Sequence, residues 1–472
     1  MRMRLFILSL ISLTLTGFAQ VMTFTTTGDK SKRFETQTLS FAAGDTPSAV
    51  RLNVDKRFQQ IEGFGAALTG SSCYNLLRMR PDERKKLLQE TFDRRTGMGW
   101  SFIRVTVGCS DFSLDEYTYC DKPGIENFAL TVYETRDLIP VLKEVLAINP
   151  NVKILASPWT CPKWMKVNNL KELRPHDKWT SGHLNPAYYN DYATYFVKFI
   201  QAMKAQGIEI EALTIQNEPL NHGNSASLFM GWDEQKNFIK QALGPKLKAS
   251  GLKTRIWAYD HNFNYDKMSD QQQYPLKIYN DPEAAQYIDG SAWHAYGGDY
   301  KELDKIQAAS PAKGIYFTEI AIGEWSYDFA GDLMWASRNV AIGTIQRGCK
   351  AVMVWNYMLD DNHAPNRPGG CTNCFGCVDI DSQSYSKLER RSHYYLISHL
   401  AKVIHAGSTR VDLTGDLPAS TTAIAVENPN GTYGVFIRAN HDKPLTMCIN
   451  DGKKSFVLNL PPKSLVSAIW RK

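Results

Sequence analysis

Eight short apolar runs, each bounded by turn residues and separated from the next by a segment of helical periodicity, constrain this chain more than any other feature. They are "QIEGFGAAL" from residue 60, "SFIRVTVG" from 101, "VKILASPW" from 152, "EALTIQNEP" from 211, "TRIWAYDHN" from 254, "GSAWHAYGG" from 290, "GIYFTEIAIG" from 314 and "AVMVWNYML" from 351. Between them lie "PDERKKLLQETFDRR", "TRDLIPVLKEVLAIN", "PAYYNDYATYFVKFIQAMKAQG" and "WDEQKNFIKQALGPKLKASG", with Gly207 and Gly251 placed to end two of these helices. Strands that alternate with helices pair in parallel, because a parallel pair needs a long crossover. Eight such units over roughly 350 residues predict an α/β fold of the closed (β/α)8 TIM barrel type. An open, doubly wound sheet is the alternative, but the Gly-rich "EGFGAALTG" after the first run lacks the GxGxxG spacing of a dinucleotide site.

The pattern changes near residue 405. "TAIAVENPNGTYGVFIRAN" and "PLTMCINDGKKSFVLNLPPKSLVSAIW" alternate apolar and polar residues around Asn-Gly and Asp-Gly turns, the signature of antiparallel strands. "VMTFTTTGD" and "AVRLNVDK" near the start read the same way. Both ends of the chain are therefore expected to build one antiparallel β side domain, from residues 20–57 and 406–472, around a barrel spanning 58–405.

Residues 1–19 read as a cleavable secretory leader: Arg2 and Arg4, an apolar run from Leu5 to Phe18, then small residues at Gly17 and Ala19. A secreted or periplasmic location follows, and no later run reaches the ~18 apolar residues of a membrane span. The formal charge of +6 becomes +4 without the two leader arginines, with both signs interspersed, so nucleic-acid binding has no support in composition. Nine cysteines is an odd number for an exported chain, so one at least is unpaired or bonds another molecule. Cys73, Cys109, Cys161 and Cys349 stand alone in apolar surroundings. In "GGCTNCFGC" the sulfurs of Cys371, Cys374 and Cys377 recur at three-residue intervals. Three thiols lack a fourth metal ligand, and export favours a local disulfide between two of them over a zinc or iron-sulfur site.

Active groups of such a barrel gather at the carboxyl ends of its strands. The fourth run stops at Asn217 and Glu218 and the seventh at Glu319, which brings two carboxyl groups to a common mouth. That pair is the minimal equipment for hydrolysing a glycosidic bond: one carboxyl donates a proton to the departing oxygen, the other attacks the anomeric carbon or activates water. No cofactor and no metal is required. Other strand ends supply matching chemistry. Arg104 can hold a carboxylate ionised, Asp111 can accept hydrogen bonds from sugar hydroxyls, and Trp159, Trp293, His294, Tyr296 and Trp355 set aromatic faces and polar tips around the expected rim. Singly, each has a plainer explanation in core packing or a structural ion pair; their recurrence at successive strand ends tips the balance.

Seven of these segments, "FQQIEGFGAALTGSS", "FIRVTVGCSDFS", "ASPWTCPKWMK", "IQNEP", "WHAYGG", "YFTEIAIGEW" and "VWNYMLDDN", together resemble glycoside hydrolase family 30, which includes glucosylceramidases and endo-β-1,6-glucanases. The resemblance implies a barrel fused to a β-sandwich and a retaining, double-displacement mechanism. It implies Glu218 as general acid/base, Glu319 as nucleophile, and Asn217 as the partner of the sugar 2-hydroxyl. It also implies Asp111, Trp159 and Trp355 around the terminal glucose, with Arg104, His294 and Tyr296 about the nucleophile. The Gly-Gly-Cys-x-x-Cys element after Trp355 looks more like the β-1,6-glucanase branch than the animal glucosylceramidases, although Cys377 and Cys161 are unusual for either. The expected partner is thus a polysaccharide or oligosaccharide, acted on by a monomer. Glucosylceramidase, β-glucosidase and xylan-cleaving activities are the alternatives within the family. An inactive carbohydrate-binding protein is the alternative from another class, disfavoured because binding alone needs neither an acid nor a nucleophile.

Overall fold

The computed structural model describes residues 20–42 and 49–472, so the leader expected over residues 1–19 lies outside the described residues. All eight expected strands form: β1 (Gly63–Ala67), β2 (Phe102–Thr106), β3 (Lys153–Ser157), β4 (Ala212–Thr214), β5 (Arg255–Asn262), β6 (Gly290–His294), β7 (Gly314–Glu319) and β8 (Cys349–Val354). Each pairs in parallel with its neighbours in chain order, and β8 closes on β1 through Ala351 opposite Gly63 and Val354 opposite Ala66. The result is the closed (β/α)8 barrel.

Apolar side chains fill the barrel interior, among them Phe102, Leu155, Trp257, Tyr316 and Met353. Trp257 and Tyr316 lie flat on one another with ring centres 3.5 Å apart. Below them Glu62 accepts hydrogen bonds from Arg255 and from Tyr316, each at 3.0 Å, which closes the amino-terminal end with a polar plug. This packed floor leaves the carboxyl ends of the strands as the open mouth. The helices follow the expected period: Tyr189–Ala205 buries Tyr192, Phe196, Ile200 and Met203 on one stripe against the barrel.

The side domain is a nine-stranded sheet folded over on itself. Gln20–Thr27 pairs antiparallel with Ser464–Arg471, and Val50–Gln60 pairs with Thr409–Thr414 and, in parallel, with Leu445–Asn450. Both termini thus contribute to one sandwich, whose core holds Val21, Val50, Val435, Phe456 and Trp470. The opposite face of its central strands carries Ile424, Phe436 and Leu465 into the main core, where Tyr394 and Leu400 of the helix Ser392–Val403 also sit. That shared apolar seam fixes the sandwich to the barrel.

Cys371 and Cys374 form a disulfide, and the remaining seven cysteines are thiols, all buried except the half-buried Cys448. Cys377, the third sulfur of the cluster, is 1% exposed. No helix among the described residues is long and apolar enough to cross a membrane.

Candidate active site

Strand β4 ends at Thr214, yet the chain reaches the mouth only at Asn217 and Glu218. Two backbone bonds hold it there: the Asn217 N–H donates to the Pro158 carbonyl at 2.8 Å, and the Glu218 N–H donates to the Asp260 carbonyl at 2.9 Å. Glu218 has a φ of 44°, a left-handed conformation that costs a residue with a Cβ roughly 1–2 kcal/mol. Its neighbouring strand ends over-determine that turn, which delivers both side chains inward.

At the centre lies Arg104, fully buried on β2. Its Nη1 donates to Glu319 Oε2, its Nη2 to Asn217 Oδ1 at 2.7 Å and to Asp260 Oδ2 at 2.8 Å, and its Nε to Ser157 Oγ at 3.3 Å. The Tyr296 hydroxyl donates to the second Glu319 oxygen at 3.0 Å. Glu218 accepts from Asn221 Nδ2 at 2.7 Å and from Asn224 Nδ2 at 3.3 Å, with His261 Nδ1 3.7 Å away. His294 stands between the two carboxylates. Its Nδ1 lies 3.5 Å from Glu218 and 4.0 Å from Glu319, so the two facing oxygens are no farther apart than the sum of these lengths.

Burial opposes charge on every one of these groups, and the local partners decide the outcome. At Glu218 the His294 and His261 rings outweigh burial and hold the carboxyl down at about 2. At Glu319 burial prevails: His294 and Arg104 pull the carboxyl down, Glu218 and Asp260 push it up, and it ends above the ordinary glutamate value. For His294, burial works against the imidazolium, but Glu319, Asp260 and Glu218 lift it to about 9. Asp111, itself buried, is driven up to about 8 by burial and by the negative fields of Glu319 and Glu218. A neutral carboxyl there can donate a hydrogen bond to a sugar hydroxyl as well as accept one.

Trp159 and Trp355 stack with ring centres 5.1 Å apart, and the Arg104 guanidinium carbon lies 5.0 and 5.5 Å from the two rings. They are 2% and 3% exposed, an inner wall rather than the open rim platform expected. Trp293 is not at the mouth at all. On β6, Ala292 points into the barrel and His294 into the site, so strand alternation turns Trp293 outward among Tyr259, Phe263 and Tyr265.

Asp260 is the functional residue that sequence reasoning passed over. A register shift between Tyr259 and His261, with Tyr259 and Asp260 at φ 74° and 76°, re-aims its side chain into the site. There Asp260 accepts hydrogen bonds from Arg104, from Thr214 and Thr318 at 2.7 Å each, and from His294 Nε2 at 3.0 Å. Three adjacent polar residues ending the apolar run "TRIWAYDHN", Asp260, His261 and Asn262, are its signal in the sequence, but a strand read with strict alternation does not turn Asp260 inward. Gly370 supports the site from outside. A Cβ there would stand 2.4 Å from that of Asp111, so only glycine lets the disulfide loop close over Asp111.

Comparison with known proteins agrees with this geometry. Residues 61–404 match the Glycosyl hydrolase family 30 TIM-barrel domain and residues 407–468 the Glycosyl hydrolase family 30 beta sandwich domain. An endo-1,6-beta-D-glucanase of Trichoderma harzianum, BGN16.3, is 32% identical over 83% of this chain and 80% of its own length. The lysosomal acid glucosylceramidase of Mus musculus is 27% identical over 94% of this chain and 88% of its own. Among solved structures, the endo-beta1,6-glucanase BT3312 superposes with a TM-score of 0.95 at 50% identity, covering 96% of this chain and 99% of that one. With both domains of the family present in order around a buried carboxylate pair, the chain belongs to glycosyl hydrolase family 30 and is a glycoside hydrolase.

Proposed function

We propose that the chain is a secreted or periplasmic retaining endo-β-1,6-glucanase, with Glu319 as nucleophile and Glu218 as general acid/base. The observation that carries the chemistry is the approach of both carboxylates to one atom, His294 Nδ1, inside a buried barrel mouth. Glu319, gripped by Arg104 and Tyr296, attacks the anomeric carbon, while Glu218 protonates the departing oxygen and then activates the water that releases the sugar. Asn217 meets the 2-hydroxyl; Asp111, Trp159 and Trp355 hold the glucosyl ring.

The first step needs a proton on Glu218 and none on Glu319. The proton it can draw on is held by His294, whose Nδ1 stands 3.5 Å from Glu218. Passing it to Glu218 as substrate excludes water leaves a neutral imidazole and an armed acid, while Arg104 keeps Glu319 ionised. The 50% identity with a solved endo-β1,6-glucanase, and the fungal endo-1,6-β-glucanases among the relatives, support β-1,6-glucan as the substrate. The apolar run behind Arg2 and Arg4 supports export. Products released from β-1,6-glucan, β-1,3-glucan, xylan and an aryl β-glucoside test the reading. A ladder of short gentio-oligosaccharides from β-1,6-glucan alone is expected, whereas glucose as the sole early product, or cleavage of xylan in preference, overturns it.

A further inference from the structure

Beside the candidate active site, a cavity of about 460 Å³ opens outside strand β7, with Tyr296, Trp325, Asp332, Trp335 and His393 in its wall. Tyr296 links the two: its hydroxyl holds Glu319 while its ring borders the cavity. Three large aromatic faces are left open to solvent, Tyr296 at 44%, Trp325 at 52% and Trp335 at 45%. The Trp325 indole is set against the backbone of Gly323, where a Cβ would stand 2.0 Å from the ring. That contact braces the indole from behind.

The polar groups of the cavity are unfinished. Asp328 is engaged, capping the helix Phe329–Ala336 by accepting from the Gly331 N–H at 2.6 Å. By contrast, the buried Oδ2 of Asp332 has no hydrogen-bond partner among the described residues. His393 is 1% exposed, yet neither of its ring nitrogens has a hydrogen-bond partner among the described residues. Burial pushes its imidazole down to about 3, so the ring is neutral and offers one donor and one acceptor. Buried polar groups are normally satisfied, and groups left unsatisfied beside a cavity mark what the cavity is made to receive. No lysine or arginine lines it. An anionic ligand, including an acidic glycan, would face Asp328 and Asp332 with nothing to balance it.

We infer that this cavity is a glucan-binding subsite, taking a neutral glucosyl unit of the chain beyond the one held between Glu218 and Glu319. Trp325 and Trp335 stack on the C–H faces of that unit, and Asp332 and His393 hydrogen-bond its hydroxyls. The inference rests on the proposed action on β-glucan and says where the chain runs. A β-1,6 linkage carries an extra rotatable exocyclic bond, so a free chain has more conformational freedom to lose, and a second anchored unit limits that loss at the cleavage point.

Titration of the Glu319→Gln protein with gentio-oligosaccharides of increasing length, alone and with Trp335→Ala added, reads the subsite without turnover. Affinity is expected to step up at one chain length, and Trp335→Ala to remove about tenfold of it at that length and beyond, with little change for shorter chains. His393→Gln, which keeps a donor and an acceptor, should retain more of the step than His393→Phe. Affinity that does not depend on length, or a Trp335→Ala loss equal at every length, overturns the subsite. If no gentio-oligosaccharide binds while the active enzyme cleaves another glycan, the β-1,6-glucan reading fails on its own. The same titration with oligomers of that glycan then decides the subsite.

Discussion

Replacing Asp260 with asparagine preserves the shape of the side chain and removes one charge from the middle of the site. Asp260 is fully buried and receives four donors, from Arg104, His294, Thr214 and Thr318. An asparagine has one oxygen and a two-proton amide, so whichever way it turns, either the Arg104 and Thr214 pair or the His294 and Thr318 pair faces a donor. Breaking a buried ion pair by removing one partner costs about 3–5 kcal/mol. Arg104 retains Glu319 and Asn217, which places Asp260→Asn near the lower end, about 3 kcal/mol. The sign with pH is definite. Arg104 and His294 hold the Asp260 carboxyl below its ordinary value, so its contribution is complete above that value and fades only as acid protonates it in the folded state. Urea unfolding at neutral pH therefore reads the whole effect. His294 is lifted to about 9 by Glu319, Asp260 and Glu218, with Arg104 the opposing cation nearby, so losing the Asp260 charge lowers it towards the ordinary 6.5. The stabilisation that His294 gains from its partners is complete below 6.5 and lost as pH rises through about 9, and in the variant that gain is smaller and is gone at a lower pH. The alkaline limb of kcat/KM on an aryl β-glucoside should move down with it. A variant within about 1 kcal/mol of the parent and with an unmoved alkaline limb would refute the assignment of Asp260 as the residue that orients and charges His294.

Glu319→Ala should abolish the glycosyl-enzyme with every substrate, and azide should restore turnover with inverted product; Glu218→Ala should still form that intermediate from an activated aryl glycoside, and azide should then give retained product. Mass spectrometry of the trapped intermediate and the configuration of the azide product distinguish these, and opposite stereochemistry in each would reverse the two roles. Thiol counting under denaturing, non-reducing conditions should find the seven cysteines outside the Cys371–Cys374 disulfide, and nine would exclude the bond. Reduction of that bond should raise KM more than it lowers kcat, because the loop it closes lies on Asp111 through Gly370.

The barrel was legible because its signal is repetitive. Eight apolar runs separated by 3.6-period segments fix the strand count and direction, and Asn217, Glu218 and Glu319 stand out as polar residues ending such runs. The common antiparallel side domain of the two termini was legible from the change to two-residue alternation. What stayed hidden depends on departures from regular geometry. The bulge at Tyr259 and Asp260 turns a side chain inward that simple alternation cannot place, and the same alternation, respected on β6, turns Trp293 out of the site. Trp159 and Trp355 carry the right residue types, but their depth is set by stacking on one another over Arg104, a contact between strands far apart in sequence. The unpartnered His393 lies on a helix beyond the barrel, with no motif to single it out.

The charges at the mouth explain why the site can hold its proton on different atoms without losing its purpose. With Arg104 and His294 charged and Glu218, Glu319 and Asp260 ionised, these five groups together carry one net negative charge, and Asp111, at about 8, adds none at neutral pH. Moving the His294 proton to Glu218 changes where that charge lies and leaves its sum alone. Glycosidic cleavage passes through an oxocarbenium-like transition state, so positive charge develops on the sugar just where the site is already negative. Ionising Asp111 as well would deepen that field, but it would also oppose the ionised nucleophile, whose carboxyl burial already lifts. Keeping Asp111 protonated beside Glu319 thus serves two ends: it spares the nucleophile a second like charge, and it leaves a hydroxyl-binding group that can donate as well as accept.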